Sequence, residues 1–148
     1  MKPRVAVVKV KESVEDAVRE AIGLLGGIET FFGPGESFLV KRNLFMVKSA
    51  EKGATTDPRV FMTIAELIKE AGAKPVVGEC PAMSSYARPE AVFDGLGIRK
   101  LCDESGVEIN LLDREEPVRI LNPDGEILKE VWFPKFALEC DGIVSVPK

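Results

Sequence analysis

The sequence predicts a three-layer α/β domain: a mainly parallel sheet with helices on both faces and a β-hairpin added late. Three observations carry this. Short β-branched apolar runs alternate with longer amphipathic stripes of helical period, the pattern of strands joined by crossover helices. Several strand-like runs are apolar nearly throughout, as strands covered on both faces are. "NPDG" at 122–125 lies between two further strand-like runs and has the chemistry of a hairpin turn, with Pro second and Gly last. With 148 residues, 45% of them hydrophobic and 30% charged, residues 1–148 suffice for one domain with its own core. A domain of this size buries roughly 70% of the surface its unfolded chain exposes, so neither metal nor disulfide is needed for folding.

The elements follow in order. "RVAVVKV" at 4–10 reads as a buried strand. Ser13, with Asp16 three residues on, caps a helix whose apolar stripe is Val14, Ala17, Val18, Ala21, Ile22 and Leu25; Gly26 and Gly27 end it. A loop marked by Gly33, Pro34 and Gly35 leads to a second strand, "SFLVKRN", which turns polar at Lys41. After a connection at 45–52, Asp57-Pro58 opens a second helix in the position proline favours, and Gly72 stops it. "KPVVGE" at 74–79 is a third strand. A loop containing Pro81, Ser84 and Ser85 precedes short helices at 89–94 and 98–104. "VEINLLD" at 107–113 is a fourth strand, 116–121 and 126–133 pair as the hairpin, 134–140 makes a helical turn, and "GIVSVPK" at 142–148 is the last strand.

Composition excludes several functions. A formal charge of −4, with basic and acidic residues interspersed, does not make the clustered basic surface that nucleic acid requires. No apolar run approaches the 18 or so residues of a membrane helix, and acidic residues stand where a leader would be cleaved. The reading is therefore a cytoplasmic protein with neither nucleic acid nor membrane as partner. Histidine is absent, which removes His-dependent triads, His general bases and His-ligated metals. Cys80, Cys102 and Cys140 are too far apart to resemble the spacing of zinc or iron–sulfur ligands, so no cofactor or metal is expected in this chain. Cys102 and Cys140 read as buried small hydrophobes.

Right-handed crossovers point the helix-feeding strands the same way and gather their carboxyl ends on one edge. Three strands end there in polar residues: Lys41, Arg42 and Asn43; Gly78, Glu79 and Cys80; Pro147 and Lys148. Open α/β sheets bind ligands outside that edge, near the point where strand order reverses. The second helix begins on the same edge behind Thr55, Thr56 and Asp57, so its amino end and positive dipole suit an anion. Lys41 and Arg42 would supply charge, and Asn43, Thr55 and Thr56 hydrogen bonds. Asp57 caps the helix, and Glu79 offers a carboxylate as base or metal contact. The competing readings are ordinary ones: a cap at Asp57, a helix start at the threonines, an ion pair between Lys41 and Glu79. If the chain catalyses a reaction, Glu79 or Cys80 is its reactive group, although no histidine is present to make a thiolate.

At these residues the chain also resembles a known family. "FLVKRNLF", "GATTDPRV", "LIKEAGAKPVVGECP" and "ILKEVWFPKFALECDGIVSVPK" follow one another as in the amino-terminal half of the family called domain of unknown function 362. The family usually has Pro where this chain has Arg42. The resemblance implies a longer protein, often joined to a ferredoxin-like module with two four-iron clusters, and therefore redox surroundings. It carries no catalytic residue, since the family's activity is unknown. Two functions stay open. The domain binds a small phosphate- or carboxylate-bearing molecule at its carboxyl edge. Alternatively, it is an interaction module that partners a ferredoxin-like protein or forms a homo-oligomer, because surface that the family's other half would cover seeks a partner.

Overall fold

The computed structural model describes residues 3–81 and 88–148. Ser84 and Ser85, named above in a loop, lie outside the described residues. Among the described residues eleven main elements are present: α1 (Val14–Leu24), β1 (Ser37–Arg42), α2 (Pro58–Glu70), β2 (Lys74–Glu79), α3 (Pro89–Gly95), α4 (Ile98–Ser105), β3 (Glu108–Leu111), β4 (Pro117–Leu121), β5 (Glu130–Pro134), α5 (Lys135–Glu139) and β6 (Gly142–Val146). A four-stranded sheet of order β3-β2-β1-β6 carries the helices, and β4 with β5 forms the separate hairpin. All three pairings in the large sheet are parallel, whereas the hairpin is antiparallel. The fold is the expected three-layer α/β arrangement.

Local chemistry explains the helix starts. Ser13 accepts from the Asp16 N–H at 3.0 Å and donates to its carboxylate at 2.6 Å, opening α1. Asp57 accepts from the Arg59 N–H at 2.9 Å, with Pro58 in the first turn of α2. Helix α2 buries Phe61, Ile64, Ala65 and Ile68 over β1 and β2, joining Phe38, Val40 and Val77 in the core. On the other side of the sheet Gly78 has no room for a side chain: a Cβ there would stand 2.7 Å from Leu39 Cδ1. Helix α1 packs beside α2, where Arg19 clasps Glu70 at 2.8 and 2.9 Å, yet none of its own residues is buried.

Three expectations need correction. Residues 4–10 are not a strand of the sheet: β1 already has β2 on one edge and β6 on the other, and among the described residues no backbone hydrogen bond involves 3–12. The valines that suggested a buried strand lie open, Val5 at 84% and Val7 at 90% exposure. In the hairpin, the Gly125 N–H closes the predicted turn on the Asn122 carbonyl at 3.1 Å. The second strand nevertheless starts at Glu130 rather than 126, because the Asn122 N–H pairs with the Lys129 carbonyl and leaves Ile127 and Leu128 in the connection. The strand expected at 107–113 is shorter, giving way at Leu112–Arg114 to a 3-10 turn.

The order of the strands locates the site. From β1 the chain moves outward to β2 and then β3, while β6 lies on the opposite flank of β1. Strand order therefore reverses between β1 and β6, and their carboxyl ends frame the switch point where open sheets bind ligands.

Candidate functional site

The predicted residues do gather on this edge, but they divide into three groups. At the end of β2, Lys41 Nζ donates to both oxygens of Glu79, at 2.9 and 3.0 Å, and the Cys80 N–H donates to Glu79 as well, at 2.9 Å. The Glu79 side chain is 6% exposed and that of Lys41 is 47% exposed, so a half-exposed lysine caps a buried carboxylate. Cys80 beside it is exposed as a residue, yet burial of its sulfur pushes the thiol up to about 12. A hydrogen bond to Asp113 and the Asp113 and Glu79 charges act in the same direction. This is a thiol held protonated, the opposite of an activated nucleophile.

The second group is Arg42 alone. Its side chain turns from the end of β1 into the core, fully buried, with the guanidinium 5.0 Å from the Phe61 ring and 4.6 Å from the Phe93 ring. None of its three nitrogens finds a hydrogen-bond partner. Burial pulls its pKa down from 12.5 to about 10, with Cys102 and Glu79 opposing only in part. The expectation that Arg42 supplies charge at a solvent-facing site meets a side chain stacked between two aromatic rings. Cys102 itself is buried, as expected, while Cys140 is only partly so.

The third group lies at the mouth of α2. Thr56 is 2% exposed and fully engaged: its hydroxyl donates to the Val146 carbonyl at 2.7 Å and accepts from the Asn43 N–H at 2.9 Å. The Asn43 side chain in turn donates to the Ala54 carbonyl at 2.9 Å. Asn43 and Thr56 thus bind the loop to the strand ends. Thr55, also 2% exposed, is different: its hydroxyl has no partner, and it lines a cavity of about 390 Å³. Asp57, Pro58 and Arg59 of the helix start, Leu96 at the end of α3 and Ile98 at the start of α4, and Glu51 and Lys148 complete most of the wall.

The charges there can be resolved. Arg59 donates to both Asp57 oxygens, at 3.1 and 2.7 Å, and holds that carboxyl below its usual range; Lys148 adds a weaker pull. The Arg59 N–H is taken by the Asp57 side chain and the Val60 N–H by the Asp57 carbonyl, at 3.0 Å. Helix α2 therefore brings its dipole to the cavity rather than free first-turn donors. Lys148, Glu51, Leu96 and Ile98 were not in the predicted set. Lys148 was legible as the end of a strand, whereas Leu96 and Ile98 arrive from helices whose approach no local pattern encodes.

No group of three or more histidine, cysteine or acidic side chains suited to a metal occurs among the described residues, and no described helix is long and apolar enough to cross a membrane. The parallel sheet with helices on its faces and a cavity at the α2 mouth defines the class of the protein as an open three-layer α/β domain. Residues 38–148 match the family described as domain of unknown function (DUF362), and the chain belongs to it. Among curated proteins it is similar to a thylakoid-associated protein of Synechocystis sp., 29% identical over 133 residues, a match covering 89% of this chain and 39% of that relative. No solved structure matches the chain.

Proposed function

We propose that the domain binds a small anionic molecule, bearing a phosphate or a carboxylate, in the cavity bounded by the α2 mouth, the 49–51 turn, the α3–α4 junction and Lys148. The observation that carries this reading is Thr55, which lines the cavity and whose buried hydroxyl has no partner. A buried hydroxyl without a partner costs about 1–3 kcal/mol, which a ligand oxygen would remove. Lys148 supplies a charge without an ion pair among the described residues, and the α2 dipole adds to it. Leu96, Ile98 and Pro58 provide the apolar surface against which the body of a small ligand would rest. Lys41 and Glu79 support the strand ends in this reading and do not touch the ligand. A cytoplasmic location belongs to the same reading, and fractionation of cell extract would decide between it and the thylakoid association named for the relative.

The test is thermal denaturation in inorganic phosphate against chloride at matched ionic strength. Phosphate should raise the melting temperature of the wild type and of Lys41→Ala. It should have no such effect on Thr55→Val or Lys148→Ala, both of which should remain folded. Equal stabilisation of wild type and Thr55→Val would refute the site.

A further inference from the structure

Beyond that reading, we infer that the parallel sheet has an open strand position between β6 and residues 4–10. Its occupant is an apolar β-strand from polypeptide equivalent to the part of the Synechocystis relative that lies outside the match. Residues 4–10 lead into α1, and α1 leads into β1 on the side of the sheet where α2 packs. A right-handed crossover through a helix on that side places the preceding strand beyond β1 on the flank opposite β2, which is the β6 side. Arg4 lies beside Gly26, just past the end of α1, its Nη2 3.5 Å from where a Cβ on that glycine would stand. The segment therefore runs back along α1, as the strand of a βα unit does. Yet it makes no backbone hydrogen bond among the described residues, and the outer edge of β6 is equally unpaired.

Between the end of α1 and β6 lies apolar surface that no described residue covers. A groove of about 350 Å³ is lined by Ile22 and Leu25 from the α1 end, Phe31, Phe38, and Ile143 and Val144 of β6. Ile143 is 49% exposed, and no residue of α1 is buried although its stripe is amphipathic. One inserted strand would satisfy both rows of backbone groups and cover Val5 and Val7, which explains three otherwise separate anomalies. Its residues should be apolar on both faces, as in the neighbouring strands. A second copy of this chain fits poorly: its residues 4–10 would bring another Arg4 and Lys9 to a segment already carrying both, and its own β6 would stay open. The matched region is 39% of the relative, so related polypeptides carry ample further chain to supply the strand.

The probe is the portion of the Synechocystis protein outside the match, added as a separate polypeptide and also fused by a flexible linker to Lys148. Hydrogen exchange read by mass spectrometry should show residues 4–10 unprotected in the chain alone. Exchange there and in β6 should slow together by on the order of a hundredfold with either form of the probe. Val7→Pro should abolish that protection and lower the melting temperature of the fusion, while leaving the chain alone unchanged because Val7 bonds to nothing there. Unchanged exchange in the fusion, or an equal effect of Val7→Pro on fusion and chain alone, would overturn the inference. So would protection of 4–10 in a dimer of the chain alone, which would assign the position to a second copy.

Discussion

Thr56 Oγ1 donates to the Val146 carbonyl at 2.7 Å, joining the start of α2 to the end of β6 across 90 residues of sequence. The same hydroxyl accepts from Asn43, and the Thr56 N–H donates back to the Asn43 carbonyl at 3.0 Å. One small side chain thus holds the carboxyl ends of β1 and β6 and the helix between them. The two threonines before α2, alike in sequence, have separate duties: Thr56 closes the fold and Thr55 faces the cavity.

Thr56→Val keeps the shape and removes the hydroxyl, leaving the Asn43 N–H and the Val146 carbonyl only their long 3.3 Å bond to each other. The expected cost is about 1–2 kcal/mol by urea denaturation, since two hydrogen bonds of the hydroxyl are lost while no buried group is left wholly unpaired. Thr56→Ser should stay within about 1 kcal/mol of wild type, because the hydroxyl is retained. An equal loss in both variants would mean that the methyl group, and not the hydrogen bonds, supports the edge.

Arg42→Met should stabilise the protein by about 1 kcal/mol. Burial of a charge without hydrogen bonds costs several kcal/mol, and the aromatic contacts of the guanidinium, about 2 kcal/mol each at most, are partly replaced by sulfur–ring contacts. The pH dependence has a definite sign. The folded pKa, about 10, lies below the ordinary 12.5, so the unfolded chain holds this proton more tightly and the charge opposes folding at all lower pH. The penalty is relieved as pH rises through about 10 and beyond. The gap between Arg42→Met and wild type should therefore be constant at pH 7–9 and narrow at pH 10.5. A gap that widens there would contradict the assignment.

Cys80 should be sluggish toward iodoacetamide. A thiol pushed up to about 12 is thiolate at pH 8 roughly a thousandfold less than a free cysteine. Asp113→Asn removes a negative neighbour that helps to hold the thiol protonated, so alkylation should accelerate. Labelling at the rate of a free thiol in the wild type would show that the sulfur is not held this way.

Lys41→Met uncovers the buried Glu79 carboxylate and should cost about 1–3 kcal/mol, more than an exposed pair would. Adding Glu79→Gln should recover part of that loss. A double variant as unstable as the sum of the singles would show that the two residues do not act as a pair.

Much of the architecture was legible because it rests on local chemistry. The Ser13 cap, the Asp57-Pro58 start and the turn closed by Gly125 use groups within a few residues of one another, and each forms as its residues indicate. The candidate site was legible only as an edge. Strand ends and a helix mouth pointed to the right side of the sheet, but Lys41 and Arg42 were both expected to face a ligand. The first instead reaches Glu79, and the second turns inward between Phe61 and Phe93.

The sequence by itself determined most of the segments that become helices and strands, residues 4–10 excepted, because periodicity, caps and turns act over short separations. It also determined that the carboxyl edge would be polar. Only the tertiary structure decided neighbours. It set β6 beside β1 and left the valines of 4–10 without a partner, a choice made by competition for the two edges of one strand. It also decided that Thr56 would find Val146 and Thr55 would find none. Such outcomes depend on how distant segments fill space around one another, and a residue's identity carries its bonding capacity but not the partner that will use it.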